Sequence, residues 1–124
     1  MKFDSDCQVL WQDRKRYLGM PISFYRYYIV KKGDEWVKFF RHKGLVHSVV
    51  DEINVYRCTD VRLKISFWDR LFRTGTIEIT SNDDHAPVFH LRRIKNPLKI
   101  RDMISDLIEI ERRKKQVTLR EFMG

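Results

Sequence analysis

Residues 96–114 read NPLKIRDMISDLIEIERRK, and this stretch decides the fold because the periodicity of the chain changes here. Asn96 and Pro97 form a helix-start signal, since Asn can cap free backbone N–H groups and Pro fits the first helical position. We therefore predict one amphipathic helix of about 17 residues, with the basic run Arg112–Lys115 in its last turn. Its apolar stripe consists of Ile100, Met103, Ile104, Leu107 and Ile108.

Short apolar segments, separated by turn residues, precede this helix at the spacing of an all-β domain. In Val61–Trp68 apolar and polar residues alternate, which is typical of a strand with one buried face. Gly33 favours a tight turn because glycine tolerates a positive φ, and Asp69–Gly75 is predicted to be a loop. The other predicted strands are Arg26–Lys32, Glu35–His42, Leu45–Val50, Ile53–Tyr56, Thr76–Thr80 and Val88–Leu91.

A series of about seven antiparallel strands followed by one helix predicts a mainly β fold. We expect two orthogonal sheets that curl into a small barrel to remove their edges, with the helix covering the open end. The barrel forms a single domain over residues 1–115, and residues 116–124 are expected to be a poorly ordered tail. Besides the helix stripe, the expected core residues are Val61, Leu63, Ile65, Phe67, Ile77, Ile79, Val88 and Leu91.

Several blocks of sequence occur in order between Trp11 and Arg113: LGMPISF at 18–24, EINVYRCTDV at 52–61, RLFRTGTI at 70–77 and IKNP at 94–97. Together these blocks resemble the bacterial pleckstrin-homology (PH) domain-like family. The resemblance implies a PH-like barrel that serves as an adaptor or a membrane-associated module. One departure is Arg73, where the family usually has Gly, and it puts the geometry of this turn in question.

The net charge of +8 and the pI near 9.7 indicate partners that carry negative charge, such as lipid headgroups, nucleic acid or acidic proteins. No stretch of the sequence resembles a signal peptide, and no apolar run is long enough to span a bilayer. We therefore expect a cytoplasmic protein, peripheral at the inner face of the membrane if it binds lipid. Cys7 and Cys58 are expected to be reduced, because disulfides are rare in the cytosol.

The first candidate binding site is the predicted hairpin, whose basic residues are Lys31, Lys32, Lys38, Arg41 and Lys43. The resemblance implies that such residues meet lipid phosphates in PH domains that bind phosphoinositides, through charge-assisted hydrogen bonds. The match is partial, because the spacing of Lys38 and Arg41 places them on opposite faces of a strand. The alternative is a basic hairpin that is merely solvated.

The second candidate is a contact with a partner or a membrane where the predicted strand Val61–Trp68 meets the predicted loop Asp69–Gly75. Its residues are Trp68, Arg70, Phe72 and Arg73. Aromatic and Arg residues that alternate in a loop can enter a membrane interface or hold a protein partner. The alternative is that Leu71 and Phe72 close one end of the barrel.

Catalysis and metal binding are not predicted. The four histidines lack metal-ligand spacing, Cys7 and Cys58 have no identifiable base, and no phosphate-binding glycine loop is present. We therefore expect a non-enzymatic adaptor, without cofactor or metal, that binds a protein or an anionic membrane surface. Two alternatives remain open: a small basic β-barrel that binds nucleic acid, although no known nucleic-acid motif is present, and a subunit that self-associates.

Overall fold

The computed structural model describes residues 3–18, 20, 23–82 and 87–123, and for Phe122 and Met123 it describes the backbone alone. Its elements are β1 (Cys7–Arg14), β2 (Tyr25–Lys32), β3 (Trp36–Lys43), β4 (Val49–Asn54), a 3-10 turn (Val55–Arg57), β5 (Cys58–Lys64), α1 (Phe67–Phe72), β6 (Thr74–Ser81), β7 (Val88–Lys95) and α2 (Pro97–Met123). The mainly β fold with one long C-terminal helix is confirmed.

The strands form two antiparallel sheets, one in the order β1-β2-β3-β4 and the other in the order β5-β6-β7. No strand ladder joins the two sheets within the described ranges, so hydrogen bonding does not close the barrel. One edge is bridged by single bonds. The backbone N–H of Arg16 donates to the carbonyl of Arg93 at 3.0 Å, and that of Lys95 donates to the Asp13 carboxylate at 3.0 Å.

The observed strands are not the predicted set, although both number seven. β1 was not predicted, because a bulge between Val9 and Trp11 interrupts its alternation. Leu45–Val50 and Ile53–Tyr56 were predicted as two strands, and the structure has one strand, β4, followed by the 3-10 turn.

The prediction for Val61–Trp68 was wrong in its second half, and so was the loop predicted at Asp69–Gly75. β5 ends at Lys64, and Ser66 starts α1 by accepting a hydrogen bond from the Asp69 N–H. The predicted α2 was also too short, since the helix has 27 residues and the segment predicted as a tail is helical to Met123. The helix continues because its last turns are rich in Lys, Gln, Arg, Leu and Glu, which favour helix without a buried face.

The core lies between the two sheets and α2. Ile77, Ile79 and Leu91 are fully buried, as predicted, and Ile104 is the centre of the helix stripe at 0% exposure. The remaining stripe residues are buried or packed against the core, as are Val61 and Leu63. The core predictions were wrong at three exposed residues: Ile65, Phe67 and Val88.

Strand register explains one of these errors. Phe89 pairs with Ile79, and Leu91 pairs with Ile77, so Phe89 and Leu91 face inward. Successive side chains of a strand point to opposite faces, so Val88, next to Phe89, faces outward. Ile65 and Phe67 lie beyond the end of β5 and so are not part of its buried face.

Glycine is needed where α2 begins. A Cβ at Gly75 would come within 2.9 Å of the Pro97 ring, so the absence of a side chain lets the start of α2 pack on β6. At the opposite end of the molecule, Gly33 has a φ of +48° in the turn between β2 and β3, as its turn role requires.

A second apolar cluster covers the outer face of the four-stranded sheet. Tyr28, Val30 and Phe40 are buried there, and Trp36 packs beside them. Phe3 lies over this cluster, with its ring centroid 5.5 Å from that of Tyr28 and 5.2 Å from that of Phe40. The first described residues therefore belong to the packed domain.

Candidate functional site

Four connections meet at one end of the molecule, which we call the loop end: residues 15–18, 20, 23–24, 44–48, 65–73 and 96–99. The Gly44 N–H donates to the Phe24 carbonyl at 3.3 Å, which joins the β1–β2 and β3–β4 connections. Leu18 and Trp68 line one cavity, which joins the β1–β2 connection to α1. Gly75 packs on Pro97, which adds the start of α2.

Hydrogen bonds to Asp69 hold α1 in place. The Ser66 hydroxyl accepts from the Asp69 N–H at 3.2 Å, and the Asp69 carboxylate accepts from the Ser66 N–H at 3.0 Å, a capping box. The Thr74 hydroxyl donates to the other carboxylate oxygen at 2.9 Å. Burial alone would raise the pKa of Asp69, but these hydrogen bonds and the nearby Arg93 guanidinium outweigh it and lower the pKa. Asp69 is therefore charged and fixes the short helix to β6.

Arg73 ends α1 in the left-handed conformation, with φ +57° and ψ +39°. Glycine adopts this conformation without steric cost, whereas in any other residue the Cβ comes too close to the backbone, which is destabilising. The turn at Arg73 therefore keeps a conformation suited to glycine although the residue is Arg.

Large apolar side chains are exposed on each connection of the loop end. On α1, Phe67 is 75% exposed, Trp68 64% and Leu71 61%. Their neighbours on the other three connections are also exposed: Tyr17, Leu18, Met20, Phe24, Leu45, Val46 and Leu98. Exposed apolar residues concentrated at one end of a small domain are typical of interaction surfaces, so the loop end is a candidate site.

Basic side chains surround these apolar groups. Lys15 Nζ lies 5.1 Å from the ring centroid of Tyr17 and 5.2 Å from that of Tyr25, and the Arg93 guanidinium carbon lies 5.8 Å from the Tyr17 ring. Arg70, Arg73 and Lys99 are exposed on α1 and at the start of α2. The loop end thus combines apolar side chains with positive charge.

Two cavities flank α1. The first, of about 300 Å³, lies under Trp68 and is also lined by Leu18, Phe72 and Arg93. The second, of about 550 Å³, lies between α1 and the start of α2 and is lined by Ile65, Arg70, Arg73, Pro97, Leu98 and Lys99. We call the second one the α1–α2 cleft.

The structure brings the second predicted set together. Trp68, Arg70, Phe72 and Arg73 lie on α1 and its C-cap, with Trp68 exposed and Phe72 partly buried against the first cavity. Sequence reasoning did not identify Leu18, Met20, Phe24 and Leu98 as part of this surface. The available signal was a set of large apolar residues in segments that the turn chemistry marks as connections.

The structure does not bring the hairpin set together. Pairing of β2 with β3 puts Lys31, Arg41 and Lys43 on the face that turns inward, and Lys32 and Lys38 on the outer face. Lys31 and Lys32 also lie next to the β2–β3 turn, at the end of the sheet away from the loop end.

Several hairpin cations already have acidic partners. Arg41 makes two hydrogen bonds to one oxygen of Asp51, at 3.1 and 2.6 Å. Lys38 Nζ lies 3.6 Å from Glu52 and 4.6 Å from the Trp36 ring centroid. Lys32 lies 3.6 Å from Glu35. These pairs reduce the positive field that the hairpin presents to a ligand.

The described residues contain no group of three metal-ligating side chains, and none of their helices is long and apolar enough to cross a membrane. Both cysteines are free, and burial raises the pKa of the Cys58 thiol to about 12. Cys58 therefore stays protonated and packs as an apolar residue.

Comparison with known proteins gives one match. Residues 20–108, more than half of the chain, match the family model described as the bacterial PH domain. No curated protein and no solved structure matches the chain.

Proposed function

The chain belongs to the bacterial PH domain family, and on this premise we propose that it is a non-enzymatic binding module that docks on an anionic membrane surface through its loop end. One observation carries the proposal: the exposed apolar side chains of four separate connections lie at the same end, among basic residues. A protein of this kind is peripheral, because contact is made by side chains at the tips of the connections.

The two components of this surface match the two layers of a membrane. Apolar side chains such as Trp68 and Phe67 favour the boundary between headgroups and acyl chains, where an aromatic ring can be half buried. Basic residues near an anionic surface contribute on the order of 1 kcal/mol each. This attraction is screened beyond about 8–10 Å in ordinary buffers, so only cations at the loop end contribute fully.

The hairpin is a weaker candidate for the docking site. Its basic residues are divided between two faces, and Lys32, Lys38 and Arg41 have acidic partners. A membrane that lies against either face of the sheet therefore meets only part of the hairpin set.

The test is co-sedimentation with vesicles of neutral lipid and of lipid that contains phosphatidylglycerol, at low and near-physiological salt. We expect binding to the anionic vesicles, weaker at the higher salt. Binding that is equal for neutral and anionic vesicles would contradict the electrostatic part of the proposal. The absence of binding to either would favour a protein partner.

Tryptophan fluorescence tests the orientation. Trp68 is exposed, whereas Trp11 and Trp36 are partly buried. Lipids brominated on the acyl chain should quench Trp68 in the wild-type protein and leave the emission of Trp68→Phe nearly unquenched. Equal quenching in both proteins would place another surface against the membrane.

A further inference from the structure

We propose that the α1–α2 cleft is a binding site for one phosphate-headed lipid, whose hydrocarbon chain lies on Ile65, Pro97 and Leu98 and whose phosphate is held by Arg70, Arg73 and Lys99. The proposal goes beyond general docking, since it names one cleft and one ligand chemistry. It rests on the proposed function in one respect: the lipid comes from the membrane on which the loop end docks.

The cleft is open on one side and has the size and lining to accept a ligand. Its volume of about 550 Å³ lies within the range of small-molecule sites. Leu98 is 56% exposed and Ile65 38%, so this apolar lining is left in water unless something covers it.

The charges around the cleft favour an anionic head. Arg70, Arg73 and Lys99 line it, and within the described part of the chain no carboxylate forms an ion pair with them. An Arg guanidinium matches phosphate oxygens in a fork of two hydrogen bonds, which favours phosphate over a simple negative surface.

One carboxylate, that of Asp69, also lines the cleft but does not oppose this assignment. Asp69 is only 9% exposed, and its two oxygens accept hydrogen bonds from the Ser66 N–H and the Thr74 hydroxyl. Its negative charge is therefore directed into α1 and β6 rather than at the proposed phosphate position.

Charged and apolar side chains lie side by side in the cleft, which favours a ligand that carries both a phosphate and a hydrocarbon chain. Inorganic phosphate would leave Ile65 and Leu98 uncovered, and a neutral hydrocarbon would leave three cations without a partner. Both requirements are met by a chain that carries a phosphate at its end.

The experiment measures binding of butyl, hexyl and octyl phosphate to the whole protein by NMR titration, below the concentration at which these compounds form micelles. We expect affinity to rise about fourfold for each methylene that the cleft buries, with shifts at Ile65, Leu98 and Lys99. Inorganic phosphate and octyl maltoside, which supply head and chain separately, should bind much more weakly.

Two variants separate head from chain. The cleft variant combines Arg70→Gln, Arg73→Gln and Lys99→Gln. It should weaken octyl phosphate binding at least about tenfold. The matched control removes the same charge farther along α2, with Arg112→Gln, Arg113→Gln and Lys114→Gln, and should change octyl phosphate binding little. Leu98→Gln should abolish most of the chain-length dependence, while a native NMR spectrum shows that the variant is folded.

The assignment is overturned if octyl phosphate binds no tighter than inorganic phosphate, or if the Arg112, Arg113 and Lys114 control weakens binding as much as the cleft variant. Since no membrane is present, these results are independent of vesicle docking. Retained octyl phosphate binding in a protein that ignores vesicles would contradict the proposed function and leave the cleft assigned.

Discussion

Lys38 and Arg41 lie on opposite faces of β3: Lys38 pairs with Val30 on the outer face, and Arg41 pairs with Tyr27 on the face toward the core. Their spacing in the sequence predicts this, and the pairing confirms it. A single ligand phosphate cannot therefore contact both side chains from one side of the sheet. The cations of the hairpin are therefore divided between two faces, whereas those of the loop end lie at one end of the molecule.

The first prediction compares the two basic regions. Lys32→Gln with Lys38→Gln should reduce binding to anionic vesicles only slightly, whereas Arg70→Gln with Arg93→Gln should cost about 2 kcal/mol, because the second pair lies at the loop end. Co-sedimentation at one salt concentration measures both variants. Arg41 is left unchanged because its guanidinium makes two hydrogen bonds to Asp51, whereas Lys32 and Lys38 make only the longer ion pairs with Glu35 and Glu52. A larger loss from the hairpin variant would restore the hairpin as the site.

The second prediction concerns the helix stripe. Ile104→Ala should lower the free energy of unfolding by about 2–5 kcal/mol, because Ile104 is fully buried. Leu107→Ala should cost less, since Leu107 is only partly buried against the core. Urea denaturation measures both. Leu119→Ala, at an exposed position of the same helix, is the control and should stay within about 0.5 kcal/mol of wild type.

The third prediction concerns the left-handed residue at the end of α1. Arg73→Gly should raise the free energy of unfolding by about 1 kcal/mol, because glycine relieves the steric cost of the positive φ. Arg70→Gly removes the same side chain from inside the helix and should lower stability by about 1 kcal/mol. Opposite shifts of the two urea midpoints are expected. A loss of stability in both would mean that the Arg73 side chain itself stabilises the turn.

The fourth prediction concerns the pH dependence of stability. The pKa of Asp69 is lowered in the folded protein, so its charged form favours folding. Its contribution is present above the ordinary pKa of about 3.9 and is lost as the pH falls toward the folded pKa. Asp69→Asn should therefore be less stable than wild type at pH 7, and the two stability curves should converge in acid.

Glu78 also has a lowered pKa, chiefly because the Lys64 ammonium donates a hydrogen bond to it, so wild type loses stability in acid for more than one reason. The difference between wild type and Asp69→Asn isolates the Asp69 contribution. Parallel curves from pH 7 down to pH 2 would show that the capping box does not depend on the charge.

The sequence predicted the strands and the helix in which buried residues recur at a regular spacing. Ile77 and Ile79 in β6, and Ile100, Ile104 and Ile108 in α2, each face the core at the spacing of their element. It did not predict β1, where the bulge interrupts the alternation, or α1, because a six-residue helix that begins Phe67-Trp68 has the composition of a strand. α1 depends on Ser66 and Asp69, which were predicted to lie in a strand and in a loop.

The residues of the candidate site were identified from the sequence only in part, for a related reason. A short segment suffices to place Trp68, Arg70, Phe72 and Arg73 together, so local sequence identified them. The contribution of Leu18 and Leu98 depends on contacts between connections that are distant in the chain. The acidic partners of the hairpin, Asp51 and Glu52, come from β4, so charge counting within the hairpin overestimated its positive field.

The length of α2 separates the loop end from the basic run Arg112–Lys115. The helix begins at the loop end, where Pro97 packs on Gly75, and Lys115 Nζ lies 4.7 Å from the Tyr56 ring centroid at the opposite end. At about 1.5 Å per residue, Arg112–Lys115 lies roughly 25 Å along the helix from its start, about three Debye lengths at physiological ionic strength. If α2 stands upright on the bilayer, the four cations there are beyond its electrostatic reach. Arg113 and Lys114 pair with Glu109 and Glu111 instead, so this basic run belongs to the internal charge balance of the helix and not to the docking surface.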